Sequence, residues 1–408
     1  MVASHVLIAG AGPGGGAATR GLRERGYEGR ITLVGRDPNP PYLRPALSKQ
    51  FLRGEADLAA VLLDPAGWLE DHHIETRFGS RVTDIDPRNG TGRLEDGTTV
   101  DSDAVILATG SRPRTLPVDG MELDGVHTLR SIDDAAVLRD RLATGDQRVV
   151  IVGSGWIGME VAASARLLGD SVTVLMRDPA PLSGVLGRRL GEHVRRVHEE
   201  HGVEFRSEVA VDGFTGAAGR LTGVRVRGAG VVPADLVLVA IGAAPDLRLA
   251  EQAGLRIRDG VLVDARMRSS SDRIWAVGDI AAVLHPVANV RVRSEHFSNA
   301  LRGGAVAADA VLGGSERYDD VPTFLSAQYD VKVRFAGFPP LMTDADPVVR
   351  GDIGSGSFTA VWLVDGRPVA GVHVNDPDPD GALPALIQRG RPVDARRLAD
   401  ARIALEEL

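Results

Sequence analysis

Residues 6–9, Val-Leu-Ile-Ala, form a short unbroken apolar run. It is too short for a helix and lacks the alternation of a strand wetted on one face, so it predicts a strand covered on both sides. A glycine-rich turn follows over 10–15, and a helix is predicted over 17–25, closed by Gly26. The next apolar run, 31–34, completes one βαβ unit over residues 5–35. The same order returns as a strand at 148–153, a helix at 156–168 and a strand at 171–175. The spacing between the two copies is far too long for a solenoid repeat and points to one nucleotide-binding domain duplicated or inserted relative to the other. Two further apolar runs, 104–110 and 236–242, end in small residues and again predict strands buried on both faces. Residues 112–117 after the first read as a crossover between domains. Beyond about residue 318 the pattern changes: 331–335, 358–363 and 369–374 alternate or cluster like antiparallel strands, with a turn at Val364-Asp365-Gly366. Residues 384–389 and 395–405 predict helices. The expected fold class is α/β, with two Rossmann-like dinucleotide-binding domains and a C-terminal α+β domain.

Composition narrows the chemistry more than the fold. At 408 residues the chain is long enough for two or three domains, and 43% hydrophobic with 25% charged residues is ordinary for a soluble globular protein. A net charge of −8 disfavours a general nucleic-acid binder. The absence of cysteine excludes disulfides, thiolate metal sites and dithiol catalysis by this chain. No apolar run approaches the roughly 18 residues of a membrane helix. The N-terminal residues lack a basic segment and lead straight into the first strand, so they do not read as a signal peptide, and a cytoplasmic protein is expected. No His, Asp or Glu cluster has metal-ligand spacing, so no metal is expected.

In G-x-G-x-x-G the first glycine makes the tight turn and the second lets the backbone approach a pyrophosphate. The third lets the helix pack close to the strand, and the helix N-terminus supplies N–H donors and a positive dipole. These places fall at Gly10, Gly12 and Gly15 in the first copy and at Gly153, Gly155 and Gly158 in the second. Each motif follows a predicted strand and opens a predicted helix, which is the context the mechanism requires. Two dinucleotide folds in one chain suggest electron transfer between two dinucleotides, with flavin and nicotinamide as the natural pair.

The segment PYLRPALSK at 41–49 resembles the PY-x-RPxLSK stretch of the flavin-dependent ferredoxin reductases of bacterial oxygenase systems, a family of putidaredoxin-reductase type similar in fold to apoptosis-inducing factor. The likeness continues through ATGSRPR (108–114), VGSGWIGMEVAA (152–163), VAIGAAPD (239–246), IWAVGDIA (274–281), SEHFSNA (294–300), FLSAQYD (324–330) and RPVDARRLAD (391–400), covering essentially the whole chain. It implies an FAD-binding domain in two segments, 1–114 and 238–318, an NAD(P)-binding domain at 115–237 between them, and an α+β interface domain at 319–408. By the same resemblance Arg44 and Lys49 lie along the flavin and Asp279 bonds its ribityl chain. Val82, Ala108, Thr109, Gly110, His296 and Phe297 join the FAD site, while Ile157, Glu160, Arg177 and Gly242 join the nicotinamide site. Lys49 and Glu160 are the expected catalytic pair beside the flavin ring, since a cation stabilises an electron-rich ring.

Several positions depart from the family pattern. Arg36 stands where an acid for the adenosine ribose is usual, and Asp37 is the substitute. Met176 holds the equivalent place in the second copy and is followed by Arg177, an arrangement suited to a 2′-phosphate, so NADH and NADPH both stay open as cosubstrates. Gly184 stands where relatives commonly carry an arginine for the cofactor's phosphates. Phe297 and Leu325 replace tryptophans on the electron-exit side. A basic patch around Arg291, Arg293 and Arg302 is the expected counterpart of an acidic ferredoxin. The expected function is hydride transfer from NAD(P)H to FAD, then single-electron transfer to a ferredoxin-type iron–sulfur protein serving an oxygenase or haem-thiolate monooxygenase. A stand-alone FAD-dependent oxidoreductase or oxidase acting on a small organic substrate is the alternative favoured by Met176, Gly184 and Leu325. A redox-sensing or structural flavoprotein is a third. The oligomeric state, monomer or homodimer, stays open.

Overall fold

The computed structural model describes residues 3–343, 345–375 and 381–408. The first two residues of the expected first segment, with 344 and 376–380 of the expected C-terminal domain, lie outside the described residues.

Two five-stranded, wholly parallel sheets are built to one plan. In the first, His5–Ala9 lies between Arg30–Gly35 on one side and Ala104–Leu107 on the other, with Glu75–Phe78 and Ile274–Ala276 at the edges. In the second, Arg148–Val152 lies between Ser171–Leu175 and Leu236–Val239, with Val203–Arg206 and Val126–His127 at the edges. Each sheet is followed in sequence by a three-stranded antiparallel meander, Val82–Ile85 to Thr99–Val100 in the first and Val211–Ala217 to Gly230–Pro233 in the second, before the chain returns beside its first strand. The central strands are buried on both faces, as their unbroken apolar sequence requires.

The two crossovers meet. Ser111–Pro113 pairs antiparallel with Ala243–Pro245, so the chain leaves and re-enters the first half through one two-stranded ribbon. The C-terminal part is a five-stranded antiparallel sheet in the order Thr323–Gln328, Val331–Gly337, Arg367–Val374, Ser357–Val364, Val348–Asp352. Its face packs on helices of the second half, and Val333, Phe335, Phe358 and Val372 share a core with Met159, Leu186 and Leu190.

The strands expected over 104–110 and 236–242 stop at Leu107 and Val239, and two helix boundaries differ further from the sequence expectation. The first helix is Pro13–Glu24 and begins ahead of residue 17, because Pro13 occupies the first helical position, where its fixed φ is preorganised. The helix expected over 395–405 stops at Ala395–Ala399. There the buried Arg350 guanidinium donates to the carbonyls of Leu398 (2.7 Å), Asp400 (3.1 Å) and Ile403 (2.7 Å), satisfying groups that a longer helix would bond internally.

Candidate functional site

A cavity of about 1390 Å³ runs from the first glycine turn to the edge of the C-terminal sheet. At one end are Gly10 and Gly12. Gly10 has φ +125°, and a Cβ there would sit 2.1 Å from the Ala108 carbonyl oxygen, so only glycine fits between the two strands. Gly15 packs behind it, where a Cβ would meet the Gly10 carbonyl at 1.9 Å, and does not line the cavity. Gly153 and Gly158 repeat both contacts in the second copy, at 2.3 Å from the Ala240 oxygen and 2.5 Å from the Gly153 oxygen. Gly12 and Gly155 face open space in their respective turns, apart from the Arg44 guanidinium near Gly12. Each turn therefore has two positions closed by backbone and one left clear for a ligand to approach.

The polar wall beyond the first turn carries more positive charge than its carboxylate balances. Asp279, in the short turn after Ile274–Ala276, accepts from Arg130 Nη2 at 2.6 Å and from Ser111 Oγ at 2.5 Å. Burial pushes its carboxyl up, but Arg130 and Ser111 outweigh this and leave it below the ordinary carboxylate range. Arg44 stands nearby, its guanidinium donating to the Arg130 carbonyl at 3.2 Å. Burial, and then the like charge of Arg130, lower its pKa. Arg130 Nε is buried with no hydrogen-bond partner. Two guanidiniums against one carboxylate, beside an open helix N-terminus, make a site complementary to a diphosphate. These residues fit a bound dinucleotide.

Asp37 lines the same wall, but Oδ2 accepts from the Tyr42 hydroxyl at 2.6 Å and Oδ1 from the Asn39 amide at 3.1 Å, so it also staples its own loop. Arg36 is exposed beside it at the cavity edge. Val82, Ala108, Thr109 and Gly110 line the middle, with Thr109 Oγ1 donating to the Asp246 carbonyl at 2.7 Å across the crossover.

At the other end, Lys49 Nζ lies 2.7 Å from Glu160 Oε2, with the two side chains 14% and 8% exposed. Lys49 comes from the turn after Arg44–Ala46, anchored by the buried Leu47 and Phe51. Glu160 comes from the second turn's helix, Trp156–Leu167. Ser164 Oγ donates to the Ser48 carbonyl at 2.7 Å and stitches that helix to the lysine segment. Ser48 Oγ also donates to Glu160 Oε2, and Ser326 Oγ to Oε1 at 2.7 Å. Trp156 and Ile157 line this end. His296 stands at the N-cap position of the helix Phe297–Val311 without a side-chain capping bond and stacks on Phe324 (4.1 Å between centroids), which meets Trp156 edge-on at 4.7 Å. Burial pushes the His296 imidazole down to about 4 and keeps it neutral. Phe297 is on the wall, and Leu325, 55% exposed, is at the mouth.

Not every expected residue reaches this cavity. Gly153, Gly155 and Gly158 belong to the second turn, which opens to solvent beside the exposed Ile157. Gly242, with φ +93°, shapes the crossover, where its carbonyl accepts from the Arg114 amide at 2.9 Å. Met176 is 2% exposed, its backbone bonded to Arg206 and Val209, so it extends the strand end. Arg177 beside it is exposed. A Cβ on Gly184 would meet nothing within 4 Å, so the smaller residue there is not a packing requirement.

The expected basic patch does not form. Arg291 turns inward to the carbonyls of Val263 and Ala282, Arg293 pairs with Asp259 and Glu295, and Arg302 pairs with Glu316 and Asp320. Sequence reasoning also missed Arg130, Ser111, Ser48 and Ser326. Arg130 directly precedes the capping box that opens the helix Ile132–Leu142, yet no local motif marks its reach back to Asp279.

Comparison with known proteins agrees with this construction. Residues 4–304 match the family described as pyridine nucleotide-disulphide oxidoreductase, and 323–408 match the reductase C-terminal family. The benzene 1,2-dioxygenase system ferredoxin–NAD(+) reductase subunit of Pseudomonas putida is 39% identical over 98% of this chain and 96% of its own. Rhodocoxin reductase of Rhodococcus erythropolis is 37% identical over 97% and 92%. Among solved structures, the reductase in a covalent putidaredoxin reductase–putidaredoxin complex superposes with a TM-score of 0.93 at 32% identity, covering 99% of this chain and 97% of that one. The disulphide of the first family's description has no counterpart in a chain without cysteine. With both family matches in chain order and these relatives along its whole length, the chain belongs to the ferredoxin reductases of the pyridine nucleotide-disulphide oxidoreductase family.

Proposed function

We propose that this protein is a cytoplasmic reductase that carries electrons from NADH or NADPH, through bound FAD, to a ferredoxin-type iron–sulfur protein serving an oxygenase. One observation carries the reading: two copies of the dinucleotide turn converge so that the helix of the second places Glu160 against Lys49, at the far end of the cavity the first one opens. Bound FAD would supply a two-electron acceptor able to release electrons singly.

In this reading segments 1–114 and 238–318 form the FAD-binding domain, 115–237 the nicotinamide domain and 319–408 the interface domain. Gly10 and Gly12 with the N–H groups of Pro13–Glu24, Arg44 and Arg130 hold the diphosphate, and Asp279 accepts from the sugar chain. Val82, Ala108, Thr109 and Gly110 shape the wall, while Asp37 orients the loop at the adenosine end. Lys49 holds its positive charge at the ring end, and Glu160 fixes the ammonium in place. Gly153, Gly155, Gly158 and Ile157 present the second helix terminus to the cosubstrate, with Arg177 at its adenosine end. His296, neutral and stacked on Phe324, and Phe297 exclude water from the inner wall. Leu325 offers an apolar contact at the mouth, where the acceptor approaches.

Stopped-flow mixing of the FAD-loaded enzyme with NADH, then NADPH, is the test. Bleaching of the flavin band by either at sub-millimolar concentration, followed by reduction of cytochrome c once a ferredoxin is added, is the expected result. No bleaching by either dinucleotide would refute the assignment.

A further inference from the structure

Glu160 is held from a side that the flavin-end pair does not explain. Its Oε1 accepts from Ser326 Oγ at 2.7 Å; Ser326 Oγ in turn accepts from Gln328 Nε2 at 3.1 Å, and Gln328 Oε1 lies 2.8 Å from His198 Nε2. All four side chains are buried. They come from three separated stretches: the helix Trp156–Leu167, the strand Thr323–Gln328 and the helix Ser183–Glu200.

The direction of the chain follows from donor counting. A carboxylate paired with the Lys49 ammonium only accepts, so the single Ser326 proton points to Glu160. Ser326 Oγ must then accept from the Gln328 amide, which turns the Gln328 carbonyl toward His198 and places that ring's proton on Nε2. Burial pushes the His198 imidazole down to about 4, consistent with a neutral ring carrying one proton. His198 is itself fixed by edge contacts with Tyr329 (5.1 Å) and Phe205 (6.1 Å).

We propose that Ser326, Gln328 and His198 are positioning residues for Glu160, a one-way hydrogen-bond chain through which the C-terminal sheet sets the carboxylate that orients Lys49. The strand's alternation gives the arrangement a second consequence. Ser326 and Gln328 point inward, while Leu325 between Phe324 and Ser326 is exposed at the cavity mouth, so one strand bears on both ends of the proposed electron path.

The inference rests on the reading of Lys49 and Glu160 as the flavin-side pair, and a double-mutant cycle separates the two. Single-turnover flavin bleaching by saturating NADH or NADPH is measured for the FAD-loaded wild type, Ser326→Ala, Gln328→Met, Glu160→Ala and the Ser326→Ala/Glu160→Ala double variant. Glu160→Met replaces Glu160→Ala throughout if the smaller side chain does not retain FAD. Loss of one buried hydrogen bond to the carboxylate is expected to lower the limiting rate about 3- to 10-fold in Ser326→Ala, with the half-saturating concentration little changed. In the Glu160→Ala background the same substitution is expected to cost less than about 1.5-fold, because the carboxylate to which Ser326 donates is gone. Equal losses in both backgrounds, or a wild-type rate in Ser326→Ala alongside a slow Glu160→Ala, would overturn the chain while leaving the flavin-side reading intact. A wild-type rate in Glu160→Ala would overturn that reading itself.

Discussion

At the scale of single residues, Arg130 and Arg177 represent opposite situations. Arg130 is tied to Asp279 at 2.6 Å on the cavity wall. Arg130→Met would leave a buried carboxylate with Ser111 as its remaining close donor and remove a cation from the diphosphate end. The expected outcome is a 10- to 100-fold weaker FAD affinity, about the worth of one charged hydrogen bond, read by titrating apoprotein with FAD and following flavin fluorescence. Arg177 is exposed at the end of the second sheet's second strand, and its role depends on the cosubstrate. Arg177→Glu should lower the ratio of kcat/KM for NADPH over NADH by about tenfold or more if the guanidinium reads a 2′-phosphate. An unchanged ratio would mark it as a solvated side chain. The place of Arg177 at a strand end was legible because it lies at a fixed offset from a glycine turn. Arg130 was not: its importance comes from Asp279, distant in sequence, and nothing local encodes that meeting.

Among the elements, the parallel strands were the most legible parts and the helix ends the least. Apolar runs without alternation specify strands covered on both faces wherever they occur, and each such run became a central strand. The last helix failed because its end is set from outside. The Arg350 guanidinium, carried by Val348–Asp352, takes up the carbonyls that would have continued it. Arg350→Met removes those donors and leaves the buried Leu398 carbonyl and the half-buried Ile403 carbonyl unpaired, while Asp400 keeps the Ile403 amide, so a loss of about 2 kcal/mol is expected. Urea unfolding of the FAD-loaded protein would measure it as a lower midpoint with little change in slope. A midpoint within error of wild type would show that water satisfies these carbonyls instead.

For the molecule as a whole, two buried histidines weaken the fold on acidification. His198 and His296 are both pushed down to about 4 by burial, against 6.5 for a free imidazole. For His198, the repulsion of His201 adds to burial, opposed by the bond to Gln328. Between those values the unfolded chain binds protons that the native protein does not, so stability rises with pH through this window and is lost as pH falls from about 6.5 toward 4. Thermal unfolding of the FAD-loaded protein across that range should show Tm falling with acidification, and His198→Gln should flatten the slope; a Tm independent of pH between 6.5 and 4 would contradict it. The sequence alone determined that there are two dinucleotide turns, each between a buried strand and a helix, and that dithiol chemistry is excluded. These follow from residue type and spacing over a few neighbouring positions. Only the tertiary structure decided that Arg291, Arg293 and Arg302 are spent on internal carbonyls and carboxylates. It alone brought Arg130 to Asp279, and the C-terminal strand to Glu160. A side chain's partners are chosen by the packing of whole sheets against one another, and that packing depends on contacts spread over the entire chain.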